Sequence, residues 1–291
     1  MFWVWLWGSL VGATDGLVWS WDESKPVRYQ LETSVETPAT HTWYGLRAKE
    51  IRAIRQTMEL GVTCVGTQEG KRWAVNCSLD AVRIRGQGVP GEEAELQEVM
   101  DQSVALIAGK SLQIIMGPHG RIKKVELKGV DVNDGRVGII AENLRQMIRR
   151  TLAPMDLQLP KDGSDHDKAW RQKGSPLAVS LFGDQGTSGG VMMKHQVAGV
   201  DGDSVRLVTE ARGSMALGAM MESGTTPILR VDSRGRSAFD TNSGVLDWGE
   251  VATGSAHGSA NLDALSGIPP SSFYSRIYRI LPDGTDRLPE G

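Results

Sequence analysis

The chain has few of the residue types that build reactive or metal-binding sites. Among its 291 residues are 2 cysteines and 5 histidines, and the histidines are far apart with no spacing typical of metal ligands. The formal net charge is -3, from 32 basic and 35 acidic residues, which gives no electrostatic argument for nucleic-acid binding. No phosphate-binding loop, paired carboxylates or nucleophile with an adjacent base is found. We therefore predict that the protein is not an enzyme and holds no metal or cofactor.

One glycine-rich segment invites a catalytic interpretation. Gly186-Thr187-Ser188-Gly189-Gly190 resembles the segment around the nucleophilic serine of chymotrypsin-like proteases. That family has an aspartate where Thr187 stands and needs an upstream histidine among small residues, a context that His41 lacks. A glycine-rich hairpin turn is the favoured interpretation. A hydrolase that uses Ser188 is the weakest of the functional alternatives.

The first 13 residues, Met1 to Ala13, are apolar apart from Ser9. Val11-Gly12-Ala13 supplies the small residues at which a signal peptidase cuts, so residues 1–13 are predicted to be a signal peptide, although no Lys or Arg precedes the run. A first buried strand is the alternative. The run is shorter than the roughly 20 apolar residues of a membrane-spanning helix, and no later segment is typical of one. We expect a soluble periplasmic or secreted protein without a transmembrane segment.

The two cysteines fall on neighbouring predicted strands. Even positions are largely apolar before the turn at Glu69-Gly70-Lys71, where Cys64 lies, and odd positions are apolar after it, around Cys77. If the turn centres between Gly70 and Lys71, the cysteines are directly opposite, with Cα atoms about 4.5–5.5 Å apart, which a disulfide tolerates. We predict a Cys64–Cys77 disulfide in an oxidising compartment. Buried free thiols in a cytosolic protein are the alternative.

Pairs of strands recur in the same order along the chain. A long pair turning at 69–71 is followed by a short pair turning at 118–121, and a long pair turning at 201–203 is followed by a short pair turning at 233–236. Such repetition indicates duplication. The predicted fold is mainly β, of the α+β class, with a large curved antiparallel sheet or sheets built from duplicated strand-pair units.

Two amphipathic helices interrupt the strands of the first half. The first predicted helix begins at Pro90-Gly91, is ended by Gly109 and carries an apolar stripe of Leu96, Val99, Met100, Val104 and Ile107. Residues 138–152 carry a second stripe of Ile140, Leu144, Met147, Ile148 and Leu152. Because each stripe must be buried against apolar surface, we expect both helices on the concave face of the sheet.

The predicted organisation has two sheet halves. Residues 14–156 form the first half with both helices, residues 157–176 form a polar linker, and residues 177–291 form a second half of strands only. The sequence leaves open whether the halves share one sheet.

Long antiparallel strands, an inserted helix and apolar helix stripes resemble the half-barrel of periplasmic lipoprotein carriers and related envelope proteins. The resemblance is architectural and covers most of residues 27–282, without a matching family motif. It implies an apolar cavity that accepts acyl chains. The residues predicted to line this cavity are Leu60, Val62, Trp73, Val75, Leu96, Met100, Ile107 and Met147. The alternative for each is a dry, fully packed core.

We therefore expect an exported protein that binds or carries an apolar, lipid-like ligand in the cell envelope. The alternative is a non-catalytic structural or interaction module of an envelope or surface assembly, with an envelope protein as its partner. No nucleic acid is expected as a partner of either.

Overall fold

The computed structural model describes residues 17–38, 53–87, 93–130, 135–160, 169–173, 188–216, 228–257 and 272–287. Its dominant feature is one open antiparallel sheet of 11 strands. The strands are β1 (Val27–Pro38), β2 (Ala53–Glu69), β3 (Arg72–Gln87), β4 (Ser111–Met116), β5 (Ile122–Lys128), β6 (Trp170–Lys173), β7 (Ser188–Asp201), β8 (Ser204–Ala216), β9 (Ile228–Asp240), β10 (Val245–His257) and β11 (Ser272–Ile280). The predicted fold class is confirmed.

The first and last strands lie side by side in the middle of the sheet. The strand order is β5-β4-β3-β2-β1-β11-β10-β9-β8-β7-β6, and all neighbouring strands are antiparallel. Strands β1 to β5 therefore extend to one side and strands β11 back to β6 to the other. The two halves form one continuous sheet, joined by the pairing of β1 with β11.

The predicted turns of the two long hairpins are confirmed. β2 pairs with β3 around Gly70, and β7 pairs with β8 around Gly202. Both glycines have a positive φ, 63° and 55° respectively, which residues with a side chain rarely adopt. The first short hairpin, β4 with β5, also turns where predicted, and Gly120 there has a φ of 94°.

The predicted second short turn, at residues 233–236, is wrong. These residues lie inside β9, and the turn to β10 falls at residues 241–244, where Gly244 has a φ of 68°. Gly235 is needed for a close approach, because a Cβ atom at this position would lie 2.9 Å from the backbone oxygen of Glu250. A glycine inside a strand can mark a close backbone approach, which a sequence pattern does not distinguish from a turn.

Both predicted helices are present and lie on one face of the sheet, here called the inner face. α1 spans Glu93–Ile107 and packs on β3. α2 spans Gly135–Thr151 and packs on β1, β5 and β11. A short 3-10 helix, Ala153–Met155, follows α2 and contacts β10 and β11. Val99 was predicted to share the apolar stripe of α1, but it is 44% exposed.

Two rows of inner-face residues cross the sheet from strand to strand. One row is largely apolar: Val82, Leu60, Leu31, Ile277, Gly249, Ser237, Leu207 and Val197. The adjacent row, here called the polar row, contains Ile84, Met58, Thr33, Ser275, Val251, Gly235, Thr209, His195 and Trp170. Since directly opposed residues point to the same side of a sheet, each row presents a single continuous strip.

Residues 17–21 complete the inner face ahead of β1. Trp19 is fully buried, and its indole Nε1 donates a hydrogen bond to the carbonyl of Leu157 at 3.1 Å. Its ring meets the ring of Phe239 edge-on, with centroids 5.2 Å apart. A Cβ atom at Gly120 would overlap the Trp19 indole. Residues 17–21 are therefore packed between the sheet and the chain that follows α2.

The region predicted as a linker contributes to this packing. Leu157 and Leu159 are buried, and residues 170–173 form the edge strand β6. Ser188 and the two following glycines begin β7 and do not form a hairpin turn. The predicted signal peptide at residues 1–13 lies outside the described residues.

Candidate functional site

The structure brings the predicted lining residues together on the inner face. Leu60, Val62, Val75, Met100, Ile107 and Met147 are buried members of one apolar cluster, and Trp73 and Leu96 are half-buried against it. The hydrophobic periodicity of the sequence therefore predicted correctly that these side chains of β2, β3, α1 and α2 lie together. They contact one another as core residues do, and their part in ligand binding stays a prediction.

The predicted disulfide lies within the same cluster. Cys64 and Cys77 are bonded to each other and are directly opposite on β2 and β3. Both are 1% exposed. The bond therefore fixes the register of β2 and β3, and the predicted pairing of the two cysteines is confirmed.

α1 covers this apolar surface largely through apolar contacts. Met100 and Ile107 are buried, and the Leu96 side chain packs against the backbone at Gly86, where a Cβ atom would lie 2.7 Å from its Cγ. The described side-chain hydrogen bonds of α1, such as Ser103 Oγ to the Val99 carbonyl at 2.7 Å, join residues of the helix itself. The helix is therefore held against β3 by its apolar stripe.

α2 is attached to the sheet by polar as well as apolar contacts. Ser275 Oγ on β11 donates to the carbonyl of Arg150 at 2.7 Å and shares a 2.6 Å hydrogen bond with Thr33 Oγ1 on β1. Thr151, in the last turn of α2, is fully buried against Met58 of β2. These bonds tie the end of α2 to the strands at the centre of the sheet, whereas the described contacts of α1 with β3 are apolar.

A buried histidine organises the other end of the polar row. His195 is 0% exposed, with Nδ1 2.8 Å from Thr209 Oγ1 and Nε2 2.9 Å from Gln172 Oε1. Gln172 Oε1 also accepts a hydrogen bond from the backbone N–H of Gln158 at 3.1 Å, which identifies it as the oxygen. His195 must therefore donate through Nε2 and accept through Nδ1. Burial lowers the pKa of this imidazole to about 4, so it is neutral at neutral pH.

Asp156 is the most strongly buried acid of the described chain, at 2% exposure. Its Oδ1 accepts a hydrogen bond from the backbone N–H of Ile122 at 2.7 Å. Burial raises the pKa of this carboxyl to about 7, although the Ile122 bond and the nearby charges of Arg121 and Lys123 oppose the rise. The side chain joins the segment after α2 to the hairpin of β4 and β5.

The outer face carries an open trough of about 1020 Å³ near one end of the strands. Small residues such as Gly254 and Ser272 lie along its floor. Ion pairs flank them, Arg55 with Glu36 at 3.2 Å and Arg212 with Asp232 at 3.4 Å. None of the predicted lining residues contributes to this trough, so it is a separate surface.

Sequence reasoning missed both the burial of residues 17–21 and the polar row. Leu17, Trp19 and Trp21 alternate in the sequence, a signal for a segment with one buried face. His195 and Thr209 also sit at alternating positions of their strands, but a polar residue at a buried position carries no pattern that separates it from a surface residue.

Among the residues that the structure describes, no helix is long and apolar enough to cross a membrane. Within the same residues, no group of His, Cys, Asp and Glu side chains is arranged to hold a metal ion.

Comparison with known proteins identifies a fold. No family model and none of the curated proteins matches the chain. Among solved structures, one reported for lipid–protein interactions in lipovitellin is similar, with a TM-score of 0.52 and 11% sequence identity over 89% of this chain. The chain covers 25% of the length of that lipovitellin chain. At this identity the likeness shows a shared sheet architecture alone.

Proposed function

We propose that the protein binds an apolar, lipid-like ligand on its inner face, between α1 and the strands β2 and β3. The observation that carries the proposal is the attachment of α1, which covers a large apolar surface by apolar contacts. An acyl chain of the ligand that replaced the side chains of α1 would make the same kind of apolar contact with the strands.

The apolar stripe of α1 and an acyl chain of a ligand would cover the same surface of β3 by the same hydrophobic effect. Each CH₂ group that leaves water contributes about 0.8 kcal/mol. Displacing α1 exposes side chains such as Met100 and Ile107, and an acyl chain that takes their place on β3 covers the surface they leave. The net cost of opening is therefore small for a ligand with one or two long chains.

Two observations that do not concern the contact between α1 and β3 also support the proposal, the similar solved structure and the disulfide. The similar structure was reported for lipid–protein interactions, and its sheet resembles the one described for this chain. The Cys64–Cys77 disulfide fits an oxidising compartment. Together with the signal-like residues 1–13, it supports export to the periplasm or the cell surface.

A reversible lock on α1 tests the proposal. The Cβ atoms of residues 86 and 96 lie at most about 4.2 Å apart, because the Leu96 Cγ is 2.7 Å from a Cβ at position 86, and this separation fits a disulfide. In the variant Gly86→Cys/Leu96→Cys, the oxidised protein should bind a fluorescent long-chain fatty acid at least tenfold more weakly than the reduced protein. The native disulfide must stay intact, which mass spectrometry after alkylation checks.

The lock also provides its own control. The oxidised and reduced forms have the same sequence, so a difference between them reports on the freedom of α1. Equal affinity in both forms would contradict binding beneath α1, and absence of binding in the reduced variant and the unaltered protein would contradict the proposed function as a whole.

The outer trough favours a second candidate function, an interaction module of an envelope or surface assembly. A trough with a floor of small residues and charged sides suits an extended polar segment of a partner protein. Ala252→Arg would place a long side chain on this floor. If the second function holds, this variant should lose partners that the unaltered protein retains in a pull-down from envelope extracts, and fatty-acid binding should be unchanged.

A further inference from the structure

A small cavity lies between the segment after α2 and the polar row. Its volume is about 20 Å³. The residues around it include Pro154, Asp156, His195, Thr209, Gly235 and Ser237. Gly235 helps to create this space, because it places no side chain at a position of the polar row that faces the 3-10 helix.

The space has the size of a single water molecule. A cavity needs about 10–15 Å³ of this kind of volume to hold one water, which must also find two or more polar partners. The volume thus admits one water molecule.

Asp156 presents a polar atom that needs a partner. Oδ1 accepts from the backbone N–H of Ile122, whereas Oδ2 is buried and meets no hydrogen-bond donor among the described residues. A buried carboxyl oxygen without a hydrogen-bond partner is costly, and the cost is larger when the group is ionised. Asp156 lines the cavity, so a donor placed there would lie beside it.

Thr209 supplies a second partner on the sheet side of the cavity. Because His195 accepts through Nδ1, the hydroxyl hydrogen of Thr209 is already donated to the imidazole. The Thr209 oxygen keeps acceptor capacity, and the residue lines the same space. A molecule between Asp156 and Thr209 would therefore meet two acceptors, which is the pattern that a water with two hydrogens satisfies.

We propose that this cavity holds one structural water molecule that donates one hydrogen bond to Asp156 Oδ2 and the other to Thr209 Oγ1. The water links the segment after α2 to the polar row, much as Ser275 links the end of α2 to the same row. A cation is a poorer occupant, since hard cations require about six oxygen ligands and both His195 nitrogens are engaged.

A crystal structure of the unaltered protein at high resolution provides the direct test. We expect a single solvent peak at about 2.6–3.2 Å from Asp156 Oδ2 and within the same distance of Thr209 Oγ1. An empty cavity would refute the proposal. A peak with several oxygen contacts near 2.3–2.5 Å, about the distances found around calcium, would refute it in favour of a cation.

Two variants at position 156 test whether the water requires a polar atom there or the charge of the carboxyl group. Asp156→Asn keeps a polar atom toward the cavity and should keep the peak, whereas Asp156→Leu should lose it. If Asp156→Leu does not fold, oxygen-17 magnetic relaxation of Thr209→Val in solution gives a second measurement. That variant should have one long-lived internal water fewer than the unaltered protein, and an unchanged number would count against the proposal.

Discussion

Replacing Gly120 with alanine should destabilise the protein strongly, because this position combines two separate constraints. Its φ of 94° is unfavourable for any residue with a Cβ atom. The added Cβ would also overlap the Trp19 indole and the carbonyl of Leu157, the two partners of a buried hydrogen bond. The substitution therefore strains the backbone and forces apart the segment before β1 and the segment after α2.

The size of the effect follows from these parts. A left-handed backbone costs a non-glycine residue about 1–2 kcal/mol. Overpacking a core position costs about 1–3 kcal/mol, and a lost buried hydrogen bond adds about 0.5–1.5 kcal/mol. Gly120→Ala should thus lower the free energy of unfolding by about 2.5–6.5 kcal/mol, a large share of the 5–15 kcal/mol typical of folded proteins.

Gly284→Ala is the matched control for this experiment. Gly284 has a similar φ of 84°, and a Cβ there would have no atom within 4 Å. Urea unfolding followed by far-ultraviolet circular dichroism should show a loss of only about 1–2 kcal/mol for the control. Equal losses for the two variants would refute the packing of Trp19 between the sheet and Leu157, since backbone strain would then explain both.

Three other predictions concern stability. Replacing Cys64 and Cys77 together with alanine should cost about 2–4 kcal/mol, as expected for a closed loop with a sequence separation of 13 residues, and reducing agent should then have no further effect on the urea midpoint. Tyr29→Phe removes a 2.9 Å hydrogen bond to a buried carbonyl of β10 and should cost about 1–2 kcal/mol; an unchanged melting temperature would count against that bond. Asp156 has a pKa of about 7 in the folded protein, against an ordinary 3.8. From about pH 4 to 7 the folded state therefore binds more protons than the unfolded state, and the contribution of Asp156 to stability falls as pH rises through this range. The lowered pKa of His195, about 4 against 6.5, acts in the opposite sense, since its contribution is present above pH 6.5 and is lost as pH falls toward 4. Stability measured from pH 4.5 to 8 should therefore rise more steeply with pH in Asp156→Asn than in the unaltered protein, and parallel curves would contradict the raised pKa.

Much of the sheet could be predicted because its signals are local. The alternation of apolar residues places Cys64 opposite Cys77 once the turn at Gly70 is known. Glycine at position 70 is itself a signal for a turn with a positive φ. The helix stripes likewise predict which side chains are buried, as Met100 and Ile107 confirm. These features depend on neighbours within a few residues or one hairpin.

The features that escaped prediction depend on distant parts of the chain. Gly235 resembles a turn residue until β10 is seen to lie against it. The pairing of β1 with β11 joins opposite ends of the sequence, and Trp19 is buried by Phe239 and Leu157, which no local period connects to it. The same holds for His195, whose partner Gln172 lies on the edge strand β6.

Native mass spectrometry of the protein purified from its own cells tests the central claim most directly. If the inner face binds a lipid-like ligand beneath α1, the protein should carry an additional mass that organic extraction releases and that fragmentation identifies as containing long acyl chains. The oxidised Gly86→Cys/Leu96→Cys variant, expressed in the same cells, should carry much less of it. A spectrum that shows only the mass of the polypeptide, from cells whose envelope lipids are intact, would contradict the account.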